Sequence, residues 1–169
     1  ASGFYVGTFG SNVSWIKDAA PDPGPGQRIH NNIETDLWLG YRNKIGEDWS
    51  YDVGLYYYYY PGDYPGRGYV KPHTFEAYAQ VGWKFFSVRY WQSLSDWFGY
   101  AHSVKSSYTE LNYNQEVFPS WTLGLHLARQ YVAGAGGALS FTDWRLSVTK
   151  AFAQGFTLSA AYTQGDASH

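Results

Sequence analysis

Ten side chains able to carry charge or move a proton sit at alternate positions within short apolar stretches: Glu34, Asp36, Arg42, Asp52, Glu76, Arg89, Glu110, His126, Asp143 and Arg145. Residues two apart in an extended chain share a face. Each of these groups would therefore stand on one side of a strand, with its apolar neighbours on the other. Such a mixed-sign set can select small polar solutes by charge and hydrogen bonding, as pore-lining residues do. It can equally pair across strands and narrow or plug the space it lines. Tyr56, Tyr58 and Tyr60 share the parity of Asp52 and would stand at the mouth of that space. Trp38, Tyr78, Lys84 and Trp91 have the same polar parity, and inward rings can contact sugars or hold a cation against their faces.

Catalytic chemistry finds less support. Hydrolysis by a serine needs a histidine and an orienting partner in mutual reach. His126 has Ser147 and Ser159 on nearby stretches, but the sequence contains no H-x-S signature and no G-x-S-x-G elbow. No two histidines have the close spacing of a metal site, and the absence of cysteine removes thiolate ligands, disulfides and a thiol nucleophile. The glycines of Pro61–Gly68 lack the Lys-Ser/Thr end and the following helix of a phosphate-binding loop. The expectation is a protein with no catalytic residue, no metal site and no cofactor. Lys17, Asp18, Asp22 and Asp63 read as solvated loop charges.

The elements that would position these groups are strands. No apolar spacing of three and four is sustained over a dozen residues, whereas period-two alternation recurs along the whole chain. Nine strands are predicted, at about 3–14, 29–43, 49–60, 73–83, 86–95, 106–117, 121–131, 140–151 and 156–164. Their connections alternate between short and long. The short ones are Lys44–Asp48, the turn at Lys84, Pro119–Ser120 and Ala153–Gly155; the long ones are Lys17–Gln27, Pro61–Pro72, Ser95–Lys105 and Val132–Leu139. Tight turns at one end and longer loops at the other are the habit of outer-membrane barrels. Trp49, Trp83, Trp121 and Phe156 flank short turns, while Tyr57 and Tyr59 lie at the opposite strand end. Two such bands of amphipathic rings suit the two membrane–water interfaces.

Composition agrees. Aromatics make up 21% of the 169 residues and charged residues 15%, against about 25% charged in ordinary soluble domains. A net charge of −2 gives no basic footprint for nucleic acid. No apolar run reaches the roughly 18 residues of a membrane helix, and a mean hydropathy of −0.42 is compatible with a barrel that is apolar on one face only. The sequence therefore predicts a single all-β domain over residues 1–169: an antiparallel, up-and-down transmembrane β-barrel in the bacterial outer membrane. Its expected partners are the lipid bilayer with its lipopolysaccharide, small polar solutes, and further copies or an envelope complex. The chain starts without Met and reads as a processed or excised segment.

Three segments, SGFYVGTFGSNVSW (Ser2–Trp15), ETDLWLGYRNKIGEDWSYDVGLYYYYYPG (Glu34–Gly62) and FEAYAQVGWKFFSVRYWQSLSDWFG (Phe75–Gly99), resemble the proteobacterial Gcw_chp family. The shared features are the G-x-W/F-G-S-N-V opening, E-x-D-x-x-x-G-Y, S-Y-D-V-G followed by aromatics and P-G, and E-A-Y. The likeness is good over the first hundred residues and looser beyond. It implies an outer-membrane protein with small-solute porin activity, in a family whose members mostly have no assigned function. It also implies two strands before the equivalent of Ser2 and one after that of Asp166. Nine and three make a twelve-stranded barrel, of which this chain would be a part.

Two other readings compete with the narrow channel. One is a barrel with a closed lumen that serves as a structural or docking subunit of an envelope assembly. The other is a soluble, lipocalin-like barrel with an apolar interior. The last would bury Leu37, Leu39, Val81, Leu123, Leu125 and Leu146, whereas the membrane reading places them on the outside.

Overall fold

The computed structural model describes residues 3–16, 30–64 and 71–167. Nine strands form one antiparallel sheet in chain order: β1 (Gly3–Asn12), β2 (Ile33–Ile45), β3 (Trp49–Tyr59), β4 (Thr74–Trp83), β5 (Phe86–Ser93), β6 (Ser107–Phe118), β7 (Trp121–Tyr131), β8 (Phe141–Ala151) and β9 (Thr157–Gly165). Each pairs with the next, and among the described residues no ladder joins β1 to β9, so the sheet has two open edges. No helix of the described residues is long and apolar enough to cross a membrane, which says nothing of strands.

The alternation of the sequence becomes two chemically distinct faces. One register row reads Val6, Leu39, Leu55, Ala77, and the row beside it Gly7, Trp38, Tyr56, Glu76. The first kind of row is apolar and open: Phe4 is 87% and Leu39 54% exposed, and Leu37, Val81, Leu125 and Leu146 are exposed with them. Leu123 is half-buried. An interior lined by these leucines is thus not what the chain builds. What is buried is polar instead: Asn31, Asp36, Thr74, Glu76, Ser93 and Gln130 are covered, with few apolar residues beside them. Laid flat, six adjacent strands about 4.8 Å apart would hold β3 and β8 some 24 Å from each other. Yet Tyr58 of β3 and Phe141 of β8 wall one cavity of about 310 Å³. The sheet therefore curls around its polar face.

The strand limits follow the alternation except at the long-loop end. There β1 stops at Asn12 and β2 starts at Ile33, short of the expected 14 and 29. Side chains replace the ladder at this point. Asn31 Nδ2 donates to Ile33 O at 2.9 Å and to Pro61 O, and His30 pairs with Asp63 in an isolated bridge. The expected loop Lys17–Gln27, with Lys17, Asp18 and Asp22, lies outside the described residues, as does much of Pro61–Pro72. The loops after β5 and β7 contain short 3-10 turns at Trp97–Gly99 and Gly134–Leu139.

All four short turns lie at the other end, and they carry the positive φ that a tight antiparallel reversal needs: Gly46 (65°), Lys84 (50°), Ser120 (66°) and Gln154 (66°). Lys84 does not join the polar face. It occupies the turn itself, 3.6 Å from Asp48, because the reversal between Trp83 and Phe86 leaves it no strand position. Rings gather beside these turns: Trp49 and Trp83 are 6.3 Å apart, and the Lys150 ammonium lies 4.9 Å from the Trp121 ring. Left-handed φ strains any side chain with a Cβ but not glycine. Ser120 contributes only its backbone to the turn, its N–H donating to Glu116 Oε1 and its carbonyl accepting from Ala151. Ser120→Gly is therefore expected to stabilise the fold by about 0.5–1 kcal/mol, read as a higher urea midpoint in micelles.

Candidate functional site

The polar face carries three linked groups of side chains. The first is built over glycine. Gly40 and Gly54 are register partners on β2 and β3, and with no Cβ there the rings of Tyr5 from β1 and Tyr78 from β4 lie across them. The two hydroxyls meet, Tyr5 donates to Asp52 Oδ1, and Tyr78 reaches the same oxygen at 3.3 Å. The Arg42 guanidinium sits 4.1 Å above the Tyr5 ring, so cation, ring and carboxylate form one layer.

A second group runs from β4 to β8. Arg89 donates through Nε to Gln80 Oε1 at 2.8 Å, lies 5.6 and 5.7 Å from the Tyr78 and Trp91 rings, and comes within 4.0 Å of Glu110. Trp91 Nε1 donates to Glu110 Oε1 at 2.8 Å. His126 stands 4.0 Å from Glu110, 2.7 Å from Asn112 Oδ1 and 3.1 Å from Asp143 Oδ1. Tyr108 completes the set by donating to Asp143 Oδ2 at 2.9 Å. Arg145 shares this face but is exposed, because β9 opposite it offers only small side chains such as Ala161 and Thr163. The serines near His126 are engaged elsewhere: Ser147 donates to Gly124 O and Ser159 bonds Thr149.

The third group is acidic and aromatic and lies toward the long loops. Trp38 and Tyr56 stack at 5.3 Å, and Tyr56 donates to Asp36 Oδ2 at 2.9 Å. Asp36 Oδ1 is buried with no partner among the described residues. Glu34 accepts a hydrogen bond from Tyr60, whose pKa is driven well up by burial and by that carboxylate. Tyr60 does not stand at an open mouth. It lies one residue past β3 and is buried with Ile16 against Trp15, Tyr58 and Phe98. Phe98 holds this cap in place, 6.1 Å from Trp15 and 5.1 Å from Tyr58, with its N–H donating to Thr74 Oγ1 at 2.8 Å.

At the same level His73 Nδ1 accepts the Tyr60 N–H at 3.2 Å while its ring stacks on Tyr59. Burial, and then the nearby Lys71, hold its pKa below the usual imidazole value, which keeps Nδ1 free as an acceptor. On the opposite, apolar face Tyr57 and Tyr59 stack 6.1 Å apart. The Trp97–Ser103 fold has no periodic sign in the sequence. Its one legible cue is the W-F-G triplet, where Phe98 and Gly99 both take positive φ.

The Gcw_chp family model, described as a bacterial protein of unknown function, matches residues 1–169, the whole chain. The chain belongs to the Gcw_chp family. No curated protein and no solved structure matches it. The Gcw_chp segments noted in the sequence build β1 to β5 and so hold the glycine-floored layer and the acidic group. The match extends beyond them to β6–β9, which supply Glu110, His126, Asp143 and Arg145.

Proposed function

We propose that this Gcw_chp protein is an outer-membrane β-barrel acting as a narrow, porin-like channel for small polar solutes. The observation that carries the reading is the inverted distribution of side chains. Apolar residues cover the exposed face, and charges, amides and hydroxyls fill the enclosed one. A bilayer rewards that arrangement, since lipid takes the place of a protein core and water or solute takes the other side. Dimensions agree. From Trp49 to Tyr59 along β3 is about 33 Å at 3.3 Å per residue, and a barrel strand tilted by roughly 40° would give a band of about 25 Å. Closure into twelve strands with neighbouring segments would pair β1 and β9, whose free edges otherwise invite aggregation.

Seven carboxylates share the polar parity (Glu34, Asp36, Asp52, Glu76, Glu110, Glu116, Asp143) and outnumber its four cations (Arg42, Lys44, Arg89, Arg145), so the channel is expected to prefer cations. Conductance of the full-length protein in planar bilayers tests this. Asp36→Asn should lower the permeability ratio of cation to anion and Arg89→Gln should raise it. A pure, folded preparation that never conducts would overturn the channel. That result would favour the closed-lumen docking subunit, which draws its own support from the packed cap of Trp15, Tyr60 and Phe98.

A further inference from the structure

We infer that the cavity beneath Trp97 and Phe98 is a binding site for a small organic cation, an amine or a quaternary ammonium group. This deepens the channel reading by naming the solute class, and it rests on that reading only for the route by which the cation arrives. The cavity, of about 310 Å³, has rings of Tyr58, Trp91, Trp97, Phe98, Tyr108 and Phe141 around it. That size is at the lower end of the roughly 300–1,000 Å³ usual for small-molecule sites. Its polar lining is Glu76, Glu110 and Gln130, with no lysine or arginine.

Glu76 is the telling residue. Its exposure is 8%, it lines the cavity, and among the described residues it accepts no hydrogen bond and faces no ion-pair partner. A buried carboxylate without a partner is costly, and a bound cation would remove the cost. The Arg89 guanidinium on the neighbouring strand β5 is committed to Gln80 and Glu110. Glu110 itself already accepts from Trp91 Nε1.

The same inventory argues against other ligands. An anion would meet two carboxylates and no cation. A sugar would find few donors, since the Gln130 amide is spent on the Ser107 and Tyr131 carbonyls and the Tyr108 hydroxyl on Asp143, which leaves the Tyr58 hydroxyl and the Trp97 indole N–H, and neither of these would satisfy the charge of Glu76. No cluster of His, Asp and Glu among the described residues could hold a metal ion. Ring faces and an unpaired carboxylate are what an organic cation uses, since aromatic cages hold quaternary ammonium groups through the ring quadrupole.

The test uses the full-length protein in detergent micelles, where binding does not depend on conduction. Tryptophan fluorescence is followed during titration with choline chloride, balanced against sodium chloride, and in parallel with 3,3-dimethylbutan-1-ol, its uncharged isostere. Choline should give a saturable response and the alcohol one at least about tenfold weaker, as loss of a desolvated cation–ring and ion-pair contact implies. Glu76→Gln should weaken choline by about tenfold or more and leave the alcohol unchanged. If that variant does not fold, the two ligands on the unmodified protein decide alone. Equal binding of choline and the alcohol, no saturable choline response, or an unaffected Glu76→Gln variant would each overturn the site. Conductance recorded on the same preparation separates the two readings. Choline binding without conduction removes the channel and keeps the site, and conduction without choline binding does the reverse.

Discussion

Leu39→Arg is expected to cost about 2–4 kcal/mol of folding stability in a bilayer, the penalty of a guanidinium facing lipid near the midplane of a barrel. Leu39 lies midway along β2, between Val6 and Leu55 in register, on the open apolar face. Neither register partner can accept a hydrogen bond from a guanidinium or neutralise it, and the nearest strand end is several residues away. A matching change on the polar face, Ala161→Arg on β9, puts the same charge beside Ser147 and should cost little. Urea unfolding in lipid vesicles, followed by tryptophan fluorescence, gives both values. If Leu39→Arg is as stable as the unmodified protein, the face meets water and the membrane reading fails.

The second large effect falls on the glycine floor. A Cβ placed on Gly54 would lie 2.5 Å from the Leu39 carbonyl oxygen and 2.5 Å from the Tyr78 hydroxyl. The ring can swing away only by leaving Asp52, and the carbonyl is fixed in the β2–β3 ladder. Gly40 differs, since the three atoms nearest a Cβ there are all side-chain atoms, of Tyr5 and Tyr78. Gly54→Ala is therefore expected to destabilise by about 2–4 kcal/mol, summing overpacking with the loss of one partner for the half-buried Asp52 carboxylate. Gly40→Ala should cost clearly less. Thermal unfolding in micelles ranks the two, and equal, small losses would show that the rings do not depend on the floor.

The strands were legible in the sequence because a two-sided sheet between unlike environments imposes strict alternation, and Leu37–Leu39–Tyr41 against Asp36–Trp38–Gly40 could hardly be read another way. Parity also placed Asp36, Glu76, Glu110, His126 and Asp143 on one face together. Parity could not say which of them touch. The meeting of Tyr5 with Tyr78 depends on the register of four strands and on glycines at matched positions, neither of which is local in the sequence. Tyr60 had the parity of a lumen residue, yet one residue beyond β3 the alternation no longer applies and tertiary packing on Ile16 decides its place. The Trp97–Ser103 loop was invisible for a related reason. It is held by single side-chain-to-backbone bonds, such as Ser103 Oγ accepting from Trp97 N–H at 2.7 Å, which leave no period to read.

The strictly sequential pairing of the sheet has a consequence for how the chain acquires its shape. All eight ladders among the described residues join neighbours in the sequence, so each of these strands finds its partner by closing one connecting loop, and in the proposed barrel only the closing ladder would wait for a distant segment. Low contact order of this kind speeds folding. Each finished hairpin leaves a fresh edge on which the next strand aligns, and the sheet can grow in the direction in which the polypeptide is delivered.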